Sequence, residues 1–169
     1  MLQIKVLTPD DWDVLRTIRL TALDESPDMF LSTYTQEEEY DSSRWRGEFR
    51  RGDWYVATID GTADSASPDE PVGVLGITRE PSTPAGQCFL EYLWVAPELR
   101  RLGVAFTMVR LVLDQLKPAG VRTVFLWVLD GNDSAMRLYK RLGFVSGNVI
   151  NPLEARPGRS EELMQLHLS

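Results

Sequence analysis

The sequence has few of the residues that form disulfides and structural metal sites. Its 169 residues include one cysteine, Cys88, and one histidine, His167. An internal disulfide is therefore excluded, and too few soft ligands are present for a structural zinc site. A lone cysteine before an apolar strand, with no histidine near it, is typical of a small core residue rather than a nucleophile. These features favour a reducing, cytoplasmic location.

Long apolar runs and lysine are scarce as well. No uncharged stretch approaches the roughly 20 residues that a membrane-spanning helix needs, and the acidic start lacks the apolar segment of a secretion signal. The 18 basic residues, only three of them lysine, are outnumbered by 25 acidic ones, which gives a net charge of −7. That balance argues against a general nucleic-acid-binding protein. We expect neither a membrane nor a nucleic acid as partner.

The charge that is present is unevenly distributed. Residues 1–80 contain 8 basic and 17 acidic side chains, whereas residues 81–169 contain 10 and 8. An anionic ligand is therefore more naturally placed on the second half, and a cationic one near the first. With 43% hydrophobic residues the chain has an ordinary globular composition. Its length predicts one domain, residues 1–169, whose core needs no disulfide.

The hydrophobic periodicity predicts elements in the order βααβββαβαββ. Strand-like runs lie at residues 2–7, 54–59, 72–78, 88–95, 121–129, 144–150 and 163–168, and helical spacing lies at about 9–25, 42–50, 104–117 and 133–142. We expect an α/β (α+β) fold, with a mixed, mostly antiparallel central sheet of six to seven strands and about four helices on both faces. The apolar run 121–129 is predicted to be buried on both faces, and Trp12, Trp54 and Trp127 to be core residues.

A basic turn with small residues follows the strand that ends at Val95. The chain continues Ala-Pro-Glu-Leu-Arg-Arg-Leu-Gly-Val-Ala into a helix. The free N–H groups and the dipole at a helix start favour an anion, and Gly103 and Ala105 allow close approach to the main chain. Arg100 and Arg101 add charge and fork-shaped donors. Taken alone, an ordinary strand-to-helix turn explains the same residues.

A second motif follows the next strand. Asn132 precedes Ala-x-x-Leu-Tyr-x-x-x-Gly-Phe, which ends at Phe144. Together with Arg-x-x-Gly-x-Ala, it resembles the GNAT superfamily of acetyl-CoA-dependent N-acetyltransferases, most closely the small bacterial members. The resemblance is strong over residues 88–144, and the element order supports it over the chain. The sequence departs from the commonest pattern at Arg101, where a glycine is usual, and at Ala105, a frequent variant of the last glycine.

The resemblance implies acetyl-CoA as co-substrate and no metal. In the family, the pyrophosphate lies on the amides of the turn, and the pantetheine arm lies like an added strand in a splay between two strands. Asn132 matches the asparagine that contacts the arm. The acetyl-CoA-binding core is then about 88–144 and the acceptor side about 1–60. The implied cofactor-binding residues are Trp94, Val95, Arg100, Arg101, Leu102, Gly103, Val104, Ala105 and Asn132.

Two catalytic residues are expected, Tyr139 and Glu91. Tyr139 matches the tyrosine that protonates the departing thiolate in many members, although a core aromatic would have the same spacing. The N–H of Val95 is the candidate to polarise the thioester carbonyl. Glu91 is the candidate base, because burial in an apolar strand raises a carboxyl pKa; pointing to solvent or pairing with an arginine is the alternative. Members that acetylate ribosomal proteins often carry a glutamate where this chain has residues 126–128, Leu-Trp-Val, which argues against that substrate.

The first half supplies the acceptor candidates. Phe30, Tyr34 and Trp45 are expected to bind substrate, beside an acidic run at residues 37–39. An acidic, aromatic rim suits a cationic amine, while a solvated helix face explains the charges equally well. The predicted function is transfer of acetyl from acetyl-CoA to a primary amine of a small molecule or peptide, by direct attack in a ternary complex. The alternative is a non-catalytic acyl-CoA-binding module. A homodimer through the C-terminal strands and a monomer are both compatible with the sequence.

Overall fold

The structure is a computed structural model that describes residues 1–59 and 70–169. These residues form seven strands and five α-helices. The strands are β1 (Leu2–Val6), β2 (Gly52–Ile59), β3 (Gly73–Thr78), β4 (Gln87–Val95), β5 (Thr123–Leu129), β6 (Val145–Pro152) and β7 (Ser160–His167). The helices are α1 (Trp12–Glu25), α2 (Tyr34–Glu38), α3 (Ser42–Arg51), α4 (Val104–Leu116) and α5 (Asp133–Arg141). Across the described ranges, no helix is both long enough and apolar enough to span a bilayer.

The seven strands form one sheet in the order β1-β2-β3-β4-β5-β7-β6. Neighbouring strands are antiparallel except β4 and β5, which are parallel. A parallel pair needs a crossover connection, and α4 supplies it. The last strand, β7, inserts between β5 and β6 and leaves β6 at the edge. The predicted mixed, mostly antiparallel sheet is confirmed.

Alternation along the strands builds one core on each face of the sheet. In β2, Trp54 and Val56 face one side, while Tyr55 and Ala57 face the other. The α1–α3 core includes Leu15, Ile18, Trp45, Trp54, Val56, Val74 and Trp94. The α4–α5 core includes Leu90, Val95, Val104, Met108, Val112, Leu126 and Tyr139. Helices therefore cover both faces, as predicted.

The short helix α2 raises the number of α-helices in the described residues to five, where about four were predicted. Its N-terminus carries a capping box. The N–H of Gln36 donates to the Thr33 hydroxyl at 3.3 Å, and the N–H of Thr33 donates to the Gln36 side-chain oxygen at 3.1 Å. Five residues are too few to show a helical period in sequence, which explains why α2 was not foreseen.

The prediction that β5 is buried on both faces and that Trp127 is a core residue is wrong. The Trp127 side chain is 37% exposed. The α1–α3 core draws its strand residues from β2, β3 and β4, such as Val56, Val74 and Trp94. Because that helix layer stops short of β5, one face of β5 is partly open to solvent at Trp127. Trp54, in contrast, is fully buried as expected.

Candidate active site

The two parallel strands β4 and β5 separate toward their carboxyl ends. They pair at Gln87–Phe89 and Thr123–Phe125. Beyond that pairing, β4 continues to Val95 and β5 to Leu129. The diverging ends create a wedge-shaped opening in the sheet, which we call the β4–β5 gap. The chemistry-bearing groups described below lie around this opening.

A bulge in β4 decides which backbone groups face the gap. The β3–β4 register shifts between Val74 and Gly76, and Tyr92 has a φ of 56°. Past the bulge, the N–H of Ala96 donates to the Val72 carbonyl at 2.8 Å. Because N–H directions alternate along an antiparallel strand, the N–H of Val95 points away from β3 and toward the β4–β5 gap.

The turn from β4 to α4 leaves a run of backbone donors available. In the described ranges, the N–H groups of residues 101–106 have no hydrogen-bond acceptor, whereas Thr107 bonds the Gly103 carbonyl at 2.9 Å. Arg101 and Gly103 both have positive φ, 64° and 82°. A Cβ at Gly103 would meet no described heavy atom within 4 Å. The turn therefore presents unpaired amides beside open space at the positive end of α4.

Arg100 does not point at this open space, contrary to the expectation that it donates to an anion. Its Nε donates to the Val95 carbonyl at 2.9 Å, and its Nη2 lies 2.5 Å from a carboxylate oxygen of Glu25. The guanidinium is thus turned back to the end of α1. Arg101 is exposed and has no ion pair within the described part of the chain. The cation available to an anion at the turn is therefore Arg101, while Arg100 orders the turn from behind.

Asn132 caps α5 beside the end of β5. Its Oδ1 accepts the N–H of Ala135 at 3.2 Å, and its Nδ2 lies 3.7 Å from the sulfur of Met29. Met29 belongs to the segment between α1 and α2. The side-chain amide of Asn132 therefore points from the end of β5 toward that segment. Asn132 also lines a cleft of about 280 Å³ with residues of β5, α5, β6 and β7. The capping bond fixes the side chain and leaves its donor free to turn to a ligand.

Tyr139 lies on α5 with 6% of its surface exposed. Its ring meets Phe144 edge-on at 5.7 Å, and it shares the α4–α5 core with Val95 and Val104. Its hydroxyl has no hydrogen-bond partner among the described residues. Burial raises the pKa of the phenol, so it stays protonated at neutral pH. The aromatic side chain is therefore a core residue whose hydroxyl is held neutral and uncommitted.

Glu91 lies on the opposite face of the sheet. Cys88 and Leu90 belong to the α4–α5 core, and alternation turns Glu91 toward α3, where an oxygen lies 4.0 Å from Nη2 of Arg51. Burial raises the pKa of Glu91, partly opposed by Arg51 and by a hydrogen bond from Thr78. The side chain is 34% exposed. The carboxyl is thus both partly buried and paired with an arginine.

The structure brings only part of the expected acceptor set to the surface. Tyr34 is 39% exposed at the start of α2, while Phe30 is buried and stacks on Tyr92 at 5.5 Å. Trp45 has no exposed surface and lies 5.0 Å from the Arg19 guanidinium. An acceptor cannot reach Trp45 in this arrangement, so that expectation is corrected: the indole packs in the α1–α3 core. Glu37 is likewise buried.

Three residues on the α1–α3 side of the sheet were not singled out from the sequence. Arg19 is buried and paired with Glu37, Tyr92 donates its hydroxyl to Glu37 at 2.8 Å, and Glu25 holds Arg100. Each pair joins segments far apart in the chain, and no local pattern encodes such contacts. For Tyr92, the one available signal in the sequence was an aromatic residue next to Glu91.

Possible metal ligands are dispersed in the described residues, and Cys88 is buried. Residues 1–59 and 70–169 contain no cluster of three His, Cys, Asp or Glu side chains able to hold a metal ion. Cys88 is fully buried on β4. Burial raises the pKa of its thiol to about 11, which disfavours the thiolate at neutral pH.

A family model for the acetyltransferase (GNAT) family matches residues 19–144, which include the β4–β5 gap, the turn and α5. The chain belongs to the GNAT acetyltransferase family. The sequence has no significant match among curated proteins.

Solved structures of GNAT proteins share the fold over the whole chain. An acetyltransferase of the GNAT family from Streptococcus pneumoniae aligns with a TM-score of 0.81 and 15% identity, covering 100% of both chains. The ribosomal-protein-S18-alanine N-acetyltransferase from Escherichia coli gives 0.70 and 18%, covering 100% of this chain and 95% of that one. The protein yncA from Salmonella typhimurium, solved with its cofactor acetyl-CoA, gives 0.74 and 14%, also covering 100% and 95%. At these identities the likeness concerns the fold.

Proposed function

We propose that this GNAT protein is an N-acetyltransferase that transfers the acetyl group of acetyl-CoA to a primary amine of a small molecule or peptide, by direct attack in a ternary complex. The observation that carries the proposal is the run of unpaired amides at residues 101–106 beside the β4–β5 gap. Preorganised donors of this kind suit a pyrophosphate. A helix start whose amides were buried or capped could not bind a pyrophosphate in this way.

The residues around the gap fit acetyl-CoA. The amides of residues 101–106 and the exposed Arg101 supply donors for the pyrophosphate. Val95 lies on the edge of β4 that β5 leaves unpaired, where its N–H faces the pantetheine arm, and Asn132 offers a side-chain amide from the other side. Bound there, acetyl-CoA supplies the activated acetyl group. Arg100 is left out of the phosphate contacts and supports Val95 instead.

Two groups of the chain act on the thioester during the transfer. The amine nitrogen forms a bond to the carbonyl carbon as the carbon–sulfur bond breaks, so negative charge develops first on oxygen and then on sulfur. The N–H of Val95 donates to the oxygen. The Tyr139 hydroxyl gives its proton to the sulfur, and the proton that the nitrogen loses as the amide forms restores the phenol. The raised pKa keeps the hydroxyl protonated at neutral pH, although it makes the phenol a weaker acid.

Glu91 is the proposed base for the acceptor. A substrate ammonium must lose a proton before its nitrogen can attack. Burial raises the pKa of Glu91, which makes its carboxylate a stronger base, while the charge of Arg51 opposes that rise. Glu91 and Tyr139 lie on opposite faces of the sheet. The amine would therefore approach from the α1–α3 face, where Tyr34 is exposed, and the cofactor from the α4–α5 face. The net negative charge of residues 1–80 favours a cationic acceptor.

The cofactor is tested first, by thermal unfolding with acetyl-CoA, coenzyme A or ATP. A ligand at one hundred times its Kd adds about 2.7 kcal/mol to the free energy of unfolding, which raises Tm by several degrees for a chain of this size. A shift with both coenzyme A species and none with ATP supports the proposal. The absence of any shift contradicts it.

Catalysis is tested with Tyr139→Phe and a panel of amines, following thiol release. We expect the variant to bind acetyl-CoA as wild type does and to lose most turnover, because only the hydroxyl is removed. If wild type binds acetyl-CoA but releases no thiol with any amine, the non-catalytic acyl-CoA-binding module is the better account. If Tyr139→Phe turns over normally, its role as acid is wrong.

A further inference from the structure

Arg100 and Glu25 form a junction between the acceptor side and the cofactor side of the molecule. Glu25 is the last residue of α1, and Arg100 lies at the turn before α4. Their side chains meet at 2.5 Å, and the hydroxyl of Ser26 lies 3.3 Å from the same guanidinium nitrogen. The same oxygen of Glu25 accepts the indole N–H of Trp94 at 3.0 Å. One carboxylate thus accepts hydrogen bonds from a side chain of β4 and from a side chain of the turn.

The carboxylate is charged across the working pH range. Burial acting alone would raise the pKa of Glu25, but hydrogen bonds from Arg100, Ser26 and Trp94 outweigh it and lower the pKa to about 2. A charged acceptor makes its hydrogen bonds stronger and shorter than a neutral one does. The junction is therefore an ionic one, present at every pH at which an acetyl transfer would be assayed.

The junction flanks the peptide group between Trp94 and Val95, because it holds the Trp94 side chain on one side and the Val95 carbonyl, in the next peptide, on the other. Arg100 holds the carbonyl of Val95 through Nε at 2.9 Å, while Glu25 holds the side chain of Trp94. The peptide between Trp94 and Val95 carries the N–H that points to the β4–β5 gap. Both residues that form this peptide are therefore restrained from outside the strand, at a place where β5 no longer pairs with β4.

We propose that Glu25 is a positioning residue for acetyl transfer, which acts through Arg100 and Trp94 to fix the N–H of Val95 in the β4–β5 gap. The inference rests on the proposed function, in which that N–H donates to the thioester oxygen. Oxyanion donors act by being oriented before the reaction, so loosening the peptide costs rate more than affinity. Glu25 touches neither substrate nor cofactor in this scheme.

Stability alone does not account for the junction. The side chains of Arg100 and Glu25 are 43% and 32% exposed, and ion pairs at that exposure contribute little to folding. Arg110 and Asp114 form a comparable pair on the outer face of α4, at 3.5 Å with both side chains 63% exposed. That second pair lies outside the cofactor turn and provides a matched control.

The experiment compares Glu25→Ala, Glu25→Gln, Arg100→Lys and the Glu25→Gln/Arg100→Lys double variant with wild type and with the control Asp114→Asn. Steady-state thiol release gives kcat and KM, calorimetry gives the Kd of coenzyme A, and thermal unfolding gives Tm. Glu25→Ala is expected to lower kcat about tenfold, less than the ~100-fold typical of removing such a donor outright. The Kd should change less than about threefold, since the amides of the turn remain.

The variants differ in what they retain. Glu25→Gln keeps an acceptor for the Trp94 indole and should retain more of kcat than Glu25→Ala. If Glu25 and Arg100 act as one unit, the double variant loses less than the product of the two single losses. Asp114→Asn should leave kcat, Kd and Tm at wild-type values. A normal kcat in Glu25→Ala, or a loss that follows Kd or Tm instead, overturns the inference.

A second readout separates this inference from the proposed function. The amide resonance of Val95 and the indole resonance of Trp94 can be followed by NMR in the free protein, without cofactor or acceptor. Both should shift or broaden in Glu25→Ala and stay in place in Asp114→Asn; unchanged signals overturn the inference. If wild type binds no coenzyme A, the proposed function fails, while the NMR comparison still decides whether Glu25 fixes this peptide.

Discussion

Arg19 is the most heavily contacted charge in the α1–α3 core. It forms two hydrogen bonds with Glu37 and one with Glu48 at 3.2 Å, and all three side chains are at most 3% exposed. Its guanidinium lies 4.0 Å from the ring centre of Tyr92 and 5.0 Å from that of Trp54. The charges stabilise one another only as a set, because each one alone would be buried without a partner.

We expect Arg19→Met to lower the free energy of unfolding by about 3–5 kcal/mol, since it leaves Glu37 buried without a cation and leaves Glu48 with only the partly exposed Arg44 and Arg51. Urea unfolding followed by fluorescence measures the loss. The matched control is the triple variant Arg19→Met/Glu37→Gln/Glu48→Gln, which removes the orphaned charges and should recover part of it. A loss below about 1 kcal/mol in the single variant would contradict a tightly coupled set.

Glu25 gives a pH-dependent prediction. Its pKa is lowered from 4.5 to about 2 in the folded protein, so its contribution to stability is fully present above about pH 4.5 and is lost as the pH falls toward 2. The difference in unfolding free energy between wild type and Glu25→Gln should therefore be largest near neutrality and shrink below pH 4.5. Urea titrations at several pH values measure it. A difference that stays constant down to pH 2.5 would disagree with this account.

Single residues differ in how far the sequence could predict them. Gly103, Asn132 and Tyr139 were singled out because each has a fixed place in a motif. The environment of each was not predictable: the Tyr139 hydroxyl without a partner depends on packing in the α4–α5 core. Arg100 was assigned to the correct turn, but its side chain was expected to point at an anion and instead points at Glu25. The motif could not predict this contact, because Glu25 lies 75 residues away in the sequence.

At the scale of elements, the start of α5 combines a structural task with the binding task that the proposed function gives to Asn132. The Oδ1 of Asn132 caps the helix, and its Nδ2 faces the segment that contains Met29. Aspartate caps a helix as well as asparagine does, but it has no N–H to donate. The two tasks can therefore be separated by substitution.

We expect Asn132→Asp to keep wild-type stability and to bind coenzyme A more weakly, because the cap survives and the donor is lost. Asn132→Ala should lose both, with about 1 kcal/mol less unfolding free energy. Thermal unfolding and calorimetry with coenzyme A distinguish the two effects. Wild-type affinity in Asn132→Asp would show that the side-chain amide makes no contact with the cofactor.

Elements were predictable where the pattern was local. The bounds of α1, α3 and α4 follow their apolar periods and their breakers, and β4 and β5 follow their apolar runs. The insertion of β7 between β5 and β6 was not predictable, because strand order depends on pairing between distant segments. The bulge at Tyr92 was missed for the same reason: it is defined by the register against β3.

At the scale of the whole molecule, one sheet carries both cores. Trp45, Trp54 and Trp94 belong to the α1–α3 core, Trp12 packs against it, and Trp127 is exposed on β5. Intrinsic fluorescence therefore reports mainly on the α1–α3 side. Far-UV circular dichroism reports on the helices and strands of both sides.

We expect the urea transitions seen by fluorescence and by circular dichroism to coincide, because neither helix layer can keep its core without the shared sheet. The comparison tests the prediction that residues 1–169 form one domain. Coenzyme A should move both transitions to higher urea by the same amount. A fluorescence transition that precedes the circular dichroism transition would instead indicate two separately unfolding parts.

The turn before α4 has a last consequence, for degradation. Leu102 is 70% exposed in a segment whose amides have no hydrogen-bond acceptor in the described residues. An exposed apolar side chain on an unpaired backbone is a favourable site for chymotrypsin. A pyrophosphate bound to those amides would shield this peptide. Under the proposed function, cleavage next to Leu102 should therefore be fast in the empty protein and slow in the protein loaded with coenzyme A, so that limited proteolysis would report occupation of the turn.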